Sequence, residues 1–175
     1  MTAPTYKFLA SGAKGPFSGF AWPVAGAWVE VEGALATCLR GVHVCRPMDL
    51  AHWIHEELWE LETDGEALPG IDCVVVRRAR LLRRVEAWNQ AGAQRFVAAC
   101  IERAAERTLA RANETVRGLI DDARDAAEAG YVAVGAFSTA LAVARSGPAA
   151  EAERAYRVER AWQAAWIESE LISVT

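Results

Sequence analysis

Hydrophobic and polar positions alternate along much of the first half of the chain, as they do in half-buried β-strands. The alternation is clearest over residues 73–85, and shorter extended segments are predicted at residues 5–9, 28–32 and 42–45. Glycine, proline and other turn-forming residues separate these segments. The pattern predicts a small, mostly antiparallel sheet.

A short helix is predicted after the third of these segments. Pro47 and Asp49 favour a helix start, and apolar residues at one-turn spacing continue the helix to about residue 57. Residues 59–63 then alternate as a strand does, and Asp64-Gly65 is typical of a turn.

After Trp88 the spacing of the apolar residues changes to the helical period. Alanine-rich helices are predicted at about residues 94–112, 113–129, 131–144 and 148–171. On the last helix, Glu159 and Gln163 lie one turn apart between aromatic residues and could enter a partly buried polar site. The alternative is that Arg160 and Glu159 cap the edge of the core.

The order of these elements predicts an α+β fold. A strand-rich half (residues 5–86) and a helical half (residues 90–171) are expected to share one core, because the sheet and the helices each need a surface against which to bury their apolar faces. We therefore predict a single domain over residues 1–175.

The composition narrows the class of protein. Seven tryptophans and a hydrophobic fraction of 53% indicate a folded chain. The formal net charge of -4 argues against nucleic acid as a partner. No signal peptide is recognised, and no apolar run reaches the roughly 18 residues of a membrane span. We expect a cytoplasmic protein with reduced cysteines and no membrane partner.

The connection after the first strand is rich in glycine and carries Phe17, Phe20 and Trp22. Rings of this size are rarely all solvated, so we expect the connection to fold back over the core or to line a pocket. Trp22 and Trp53 are the aromatic candidates for contact with a ligand.

All three histidines and two of the four cysteines lie between residues 38 and 55. An extended segment would point His43 and Cys45 to the same side. Together with Cys38 and His52 they could supply thiolate and imidazole ligands to zinc. The segment has no Cys-x-x-Cys pair, however, and the alternative is that no cofactor is bound. In that case the cysteines are small buried hydrophobic residues and the histidines are solvated.

The same segment offers a nucleophilic site. Cys38 or Cys45 would attack a substrate, one of the three histidines, such as His43 or His55, would be the general base, and Glu56 could take part in acid–base chemistry. Such a site requires a thiolate of low pKa and a third, orienting group, and the sequence shows neither. The alternative is that the acidic residues around Glu56 form a solvated face.

Five arginines between residues 77 and 84 form the main basic cluster. Arg78 and Arg80 could bind a phosphate or a carboxylate, because guanidinium groups bind such anions through two parallel hydrogen bonds. The alternative is that these arginines form cross-strand ion pairs with Glu60 and Glu62.

The segment Cys38-x-x-Gly41-x-His43-x-Cys45, with Tyr6-Lys7 opening a strand and Asp49-Leu50 starting a helix, resembles a bacterial domain family of unknown function. Members occur in phage-related and actinobacterial proteins. The resemblance covers roughly residues 5–66 and implies no activity.

Two functions are consistent with these patterns. The first is a binding or assembly module that self-associates or recognises a protein partner. The second is a small enzyme, possibly zinc-dependent, that acts on a small anionic or carbonyl-containing molecule between the 38–56 segment and the strand that carries Arg78 and Arg80.

Overall fold

A computed structural model describes residues 4–173, except for the side chain of Arg111. The predicted α+β class is confirmed, because an antiparallel sheet is followed by a helical half. The strands are β1 (Thr5–Leu9), β2 (Val29–Glu30), β3 (Val42–Val44), β4 (Glu57–Pro69) and β5 (Val74–Arg84). The α-helices are α1 (Gln90–Thr108), α2 (Glu114–Glu128), α3 (Val132–Arg145) and α4 (Ala152–Ile167). Short 3-10 segments lie at Pro47–His52, Leu109–Arg111 and Ala149–Glu151, and a π-helical turn lies at Glu168–Ile172.

The sheet has the order β1-β4-β5-β2, and β3 also pairs with β5. Strands β2 and β3 lie one after the other along β5, because β2 pairs near Ala79 and β3 pairs near Val75. Beyond β3, the backbone of Cys45 exchanges two hydrogen bonds with that of Tyr6 in β1. These bonds bring the end of β3 beside β1, although the two strands are far apart in the sheet order.

One face of the sheet packs into an apolar cluster that includes Leu9, Val44, Leu61 and Leu81, with Trp22 from the connection after β1. Side chains alternate between the two faces along each strand, and Tyr6 and Phe8, on the opposite face of β1, are buried as well. Phe8, on the other side of β1, packs edge-to-face on Trp88, with the ring centroids 5.0 Å apart.

The predicted helix at residues 47–57 is helical over its first six residues only, and the prediction is wrong for residues 53–57. Pro47–His52 forms a 3-10 helix. Asp49 caps the start of this helix by accepting hydrogen bonds from the backbone and the side chain of Arg46. The predicted turn at Asp64-Gly65 is also wrong. Strand β4 continues to Pro69, and Gly65, with a φ of +81°, lies in a bulge between Asp64 and Ala67.

The helical unit has its own cluster of buried residues, which includes Ala104, Val116, Ile120 and Val143. Small alanine side chains let the helices approach closely. Helix α2 begins at a cap in which the Asn113 side chain accepts a hydrogen bond from the backbone N–H of Val116.

Polar residues are also buried in the helical unit. Glu159 is fully buried, and its carboxylate accepts hydrogen bonds from Arg103 and Arg107. Gln163 is also fully buried and donates to the carbonyl of Ala136 and to Thr139. Glu159 and Gln163 therefore lie in a buried polar site, and Glu159 does not cap an exposed edge of the core.

The chain divides into two compact units at the predicted boundary between its halves. The strand-rich unit comprises the described residues up to Asn89 together with residues 171–173, and the helical unit spans Gln90–Glu170. That they form a single domain with one core stays a prediction. Within residues 4–173, none of the helices is long and apolar enough to cross a membrane.

Candidate functional site

The strand-rich unit contains a cavity of about 700 Å³, called the pocket below. This volume falls within the roughly 300–1,000 Å³ of small-molecule sites. Its apolar lining includes Phe8, Phe17, Phe20, Trp22, Val29, Val31, Leu39, Val42, Val44 and Trp53. Its polar lining includes Lys7, Ser18, Cys38, His43, Cys45 and Cys73.

The mouth of the pocket is formed by residues 10–22, called the mouth loop. Phe17 and Phe20 are exposed to solvent at 87% and 48% of their surface. Phe17 packs edge-to-face on Trp53, with the centroids 6.3 Å apart, and Phe20 packs in the same way on Trp22, with the centroids 6.1 Å apart. The prediction that this connection lines a pocket is confirmed.

A buried carboxylate anchors the mouth loop. Glu57 accepts hydrogen bonds from the backbone N–H groups of Gly12 and Ala13, at 3.0 and 3.2 Å, and from the indole of Trp59. Gly12 and Ala13 both have positive φ, and consecutive N–H groups in such a turn form a concave site for an anion. Burial by itself raises the pKa of Glu57, but these hydrogen bonds and the charge of Arg84 outweigh it and lower the pKa.

Lys7 supplies the cationic group of the pocket. Its Nζ donates a hydrogen bond of 2.6 Å to the carbonyl of His43 and lies 5.9 Å from the centroid of the Trp22 ring. Among the lining residues that the structure describes, none carries a carboxylate. Burial lowers the pKa of Lys7, while charge on the thiols of Cys45 and Cys73 would raise it.

Those two thiols stay protonated at neutral pH. Burial raises the pKa of Cys45 to about 12, and burial also raises the pKa of Cys73. Thiols of this kind are poor nucleophiles, so the surroundings of Cys45 count against the nucleophile hypothesis. Because they are uncharged, these thiols do little to raise the pKa of Lys7, and the lowering by burial remains.

His43 holds the turn that precedes β3. Its Nε2 accepts a hydrogen bond of 3.1 Å from the backbone N–H of Cys38, a residue with the left-handed φ of +62°. Burial and the nearby charge of Lys7 lower the pKa of His43, although a hydrogen bond with the backbone of Gly41 raises it. The imidazole is therefore neutral, and its Nε2 is occupied.

The same turn requires glycine at position 41. Gly41 has a φ of +131°, and a Cβ there would overlap the side chain of Val75 in β5. Its backbone therefore lies directly against the sheet. In this arrangement His43 positions the pocket wall, and it could act as a base only after giving up the bond to Cys38.

The four predicted zinc ligands are not all brought together. Cys38, His43 and Cys45 line the pocket, but His52 lies outside the lining, with Nε2 3.9 Å from a carboxylate oxygen of Asp72. No group of three or more His, Cys, Asp or Glu side chains within residues 4–173 is arranged to hold a metal ion. Zinc binding stays a prediction without a preformed ligand set.

Two further candidates also lie outside the pocket lining. Glu56 is exposed and accepts a hydrogen bond from the backbone N–H of Ser11, at the start of the mouth loop. The Nδ1 atom of His55 is buried without a hydrogen-bond partner among the described residues. Neither side chain faces Cys45 across the pocket.

Arg78 and Arg80 are likewise not part of the pocket lining. Arg80 pairs with Glu62, as the cross-strand alternative predicts, whereas Arg78 pairs with Asp64 and Glu60 pairs with Arg83. The guanidinium carbons of Arg78 and Arg80 lie 4.2 and 4.7 Å from the centroid of the Trp28 ring. Both groups are thus engaged within the sheet.

Lys7 and Cys73 are pocket residues that the sequence patterns did not single out. The available signal was a lysine inside a strand whose neighbours Tyr6, Phe8 and Leu9 are all apolar, in a chain with only one other lysine, Lys14. A charged residue at such a position either lies on a solvated face or is held in a cavity. Only the fold distinguishes the two.

The helical unit has a second, more open depression of about 550 Å³, near the start of α4. Its walls include the small residues Ala144, Gly147, Ala149 and Ala152. It has no aromatic cluster comparable with that of the pocket, so the pocket is the better candidate site.

The chain was compared with protein-family models, with curated proteins and with solved structures, and none of them matches it.

Proposed function

We propose that the strand-rich unit is a binding module for a small, mostly apolar molecule that carries a carbonyl or carboxylate oxygen. The observation that supports this most directly is an aromatic-walled cavity of about 700 Å³ with one lysine and no carboxylate in its lining. The apolar part of the ligand would pack on Trp22 and Trp53, and its oxygen would accept a hydrogen bond from Lys7.

The fixed position of the lysine supports an orienting role. The carbonyl of His43 holds Nζ through one of its three donors, which leaves the other two for a ligand oxygen. A ligand carboxylate would also supply the counter-charge that the lining lacks. Binding of an anion should therefore be stronger than binding of a cation of the same shape.

Calorimetric titration with octanoate and octylamine tests the proposal, because the two probes share an alkyl chain and differ in charge. We expect octanoate to bind and octylamine to bind at least about tenfold more weakly, since a charged hydrogen bond contributes about 1.5–3 kcal/mol and 1.4 kcal/mol corresponds to tenfold. Lys7→Met should remove this preference, whereas Lys14→Met should keep it because Lys14 is exposed. Absence of octanoate binding, or equal effects of the two substitutions, would contradict the proposal.

The other predictions from the sequence are separate from this site. Self-association, a protein partner and zinc-dependent catalysis stay predictions. A small carbonyl-containing or anionic ligand is common to the binding module proposed here and to the predicted enzyme.

A further inference from the structure

The amine of Lys7 combines three properties that together point to covalent chemistry. It lines a cavity large enough for a small molecule, it has no carboxylate partner in that lining, and a single backbone carbonyl holds it. An ion pair would keep the amine protonated and unreactive. The pocket instead surrounds it with aromatic and aliphatic walls.

We infer that Lys7 forms a reversible imine with the carbonyl carbon of an apolar aldehyde bound in the pocket. This inference rests on the proposed function and narrows the ligand to an aldehyde. Lysine amines in apolar surroundings are a recognised kind of activated nucleophile.

The reaction needs only the amine and the aldehyde. The lone pair of Nζ attacks the carbonyl carbon, and the electron pair of the C=O bond moves to oxygen, which takes up a proton. The nitrogen gives up its two protons, the oxygen carries two protons away as water, and the C–O bond breaks as the C=N bond forms. One aldehyde and one amine yield one imine and one water, and nothing is oxidised or reduced.

The hydrogen bond to His43 suits this step. The protonated amine binds a carboxylate, whereas the imine forms from the fraction of Lys7 that has lost a proton. A neutral amine that donates one N–H to the carbonyl keeps its lone pair free, and the bond of 2.6 Å fixes the position of Nζ beside Trp22. Burial favours the neutral form, because it lowers the pKa of Lys7. The competing thiols, Cys45 and Cys73, are protonated at neutral pH because burial raises their pKa.

Lys14 provides an internal comparison. Lys7 and Lys14 are the two lysines of the chain, and Lys14 is exposed on the mouth loop. Burial in the pocket lowers the pKa of Lys7 and so raises its share of neutral amine, and the pocket walls would hold an aldehyde beside Nζ. An aldehyde should therefore react with Lys7 in preference to Lys14.

The test is reductive trapping of the whole protein with octanal and cyanoborohydride, whose hydride converts an imine into a stable secondary amine. Peptide mapping by mass spectrometry then separates Lys7, Lys14 and any N-terminal amine. We expect Lys7 to be alkylated faster than Lys14, octanoate to protect Lys7, and the difference between the two lysines to disappear in urea. Equal rates for the two lysines in the folded protein would overturn the inference.

Lys7→Arg and Lys14→Arg form the matched pair of variants. Lys7→Arg keeps a positive charge but cannot form an imine, so it should abolish rapid trapping while retaining octanoate binding, and Lys14→Arg should leave both unchanged. Octanoate binding without trapping at Lys7 would overturn the imine and leave the proposed function standing. If octanoate does not bind and Lys7 is not protected, the proposed function fails as well.

Discussion

At the scale of single residues, Glu57 shows how a buried charge can shape a binding site without touching the ligand. Its carboxylate holds Gly12 and Ala13 in left-handed conformations at the base of the mouth loop, which carries Phe17 and Phe20. The carboxylate next to it, Glu56, is exposed although it also accepts a hydrogen bond from this loop. Two adjacent glutamates thus differ in burial and in the number of their bonds.

We predict that Glu57→Gln lowers the free energy of unfolding by about 1–3 kcal/mol near neutral pH, because buried N–H donors lose a charged acceptor. The pKa of Glu57 is lower in the folded protein than in the unfolded chain. The stabilisation by its carboxylate is therefore fully present above the unfolded pKa of about 4.3, and it is lost as the pH falls through the pKa of the folded state. The difference between wild type and variant should therefore shrink towards acidic pH. Urea unfolding at several pH values measures it.

The matched control for this prediction is Glu56→Gln, which removes an exposed acceptor from the same loop. Its effect on the free energy of unfolding should be smaller, because the acceptor that it removes is exposed to solvent. If the two variants behave alike, Glu57 does not anchor the mouth loop in the way its hydrogen bonds indicate.

At the scale of elements, the strands were predicted well where burial alternates. The prediction for residues 73–85 agrees with β5, because its buried Val75, Ala79 and Leu81 follow the period of a strand. The helix predicted at residues 47–57 ends at His52 instead, because apolar residues spaced by three and four positions are equally consistent with a 3-10 turn followed by a strand. The indole of Trp53 bonds to the carbonyl of Asp72, a contact between residues distant in sequence.

On helix α4, Glu159 is predicted to contribute far more to stability than Glu153. Glu159 is fully buried between Arg103 and Arg107, whereas Glu153 and its partner Arg157 are mostly exposed. We expect Glu159→Gln to lower the free energy of unfolding by about 2–3 kcal/mol. This loss is a little smaller than that for removing one partner of a fully buried ion pair, because both arginines keep contact with water. Glu153→Gln should have little effect, since exposed pairs on a helix are weak.

Chemical denaturation followed by circular dichroism tests this difference, because that signal comes mainly from the helices. A loss of stability in Glu159→Gln no larger than in Glu153→Gln would mean that the buried carboxylate is replaceable by an amide. The hydrogen bonds from Arg103 and Arg107 would then be satisfied equally well by the neutral side chain.

At the scale of the whole molecule, the pocket could be predicted only in part. Its aromatic mouth follows from the composition of the connection after β1, and Trp22 and Trp53 were expected to contact a ligand. Lys7 could not be placed beside His43 in advance, because their hydrogen bond depends on the backbone bonds between Tyr6 and Cys45, which no local pattern encodes. The sequence also did not indicate that the Nε2 atom of His43, a predicted zinc ligand, accepts a hydrogen bond from the backbone of Cys38.

The prediction that the chain is a single domain can be tested by comparing two signals during unfolding. Five of the seven tryptophans lie in the strand-rich unit, at positions 22, 28, 53, 59 and 88, so fluorescence follows mainly that unit, whereas circular dichroism follows mainly the helices. A single domain unfolds cooperatively, so both signals should change at the same denaturant concentration.

Glu159→Gln should then move both midpoints equally, although the substitution lies in the helical unit. If it moves only the circular dichroism midpoint, the two units unfold independently and the chain comprises two domains.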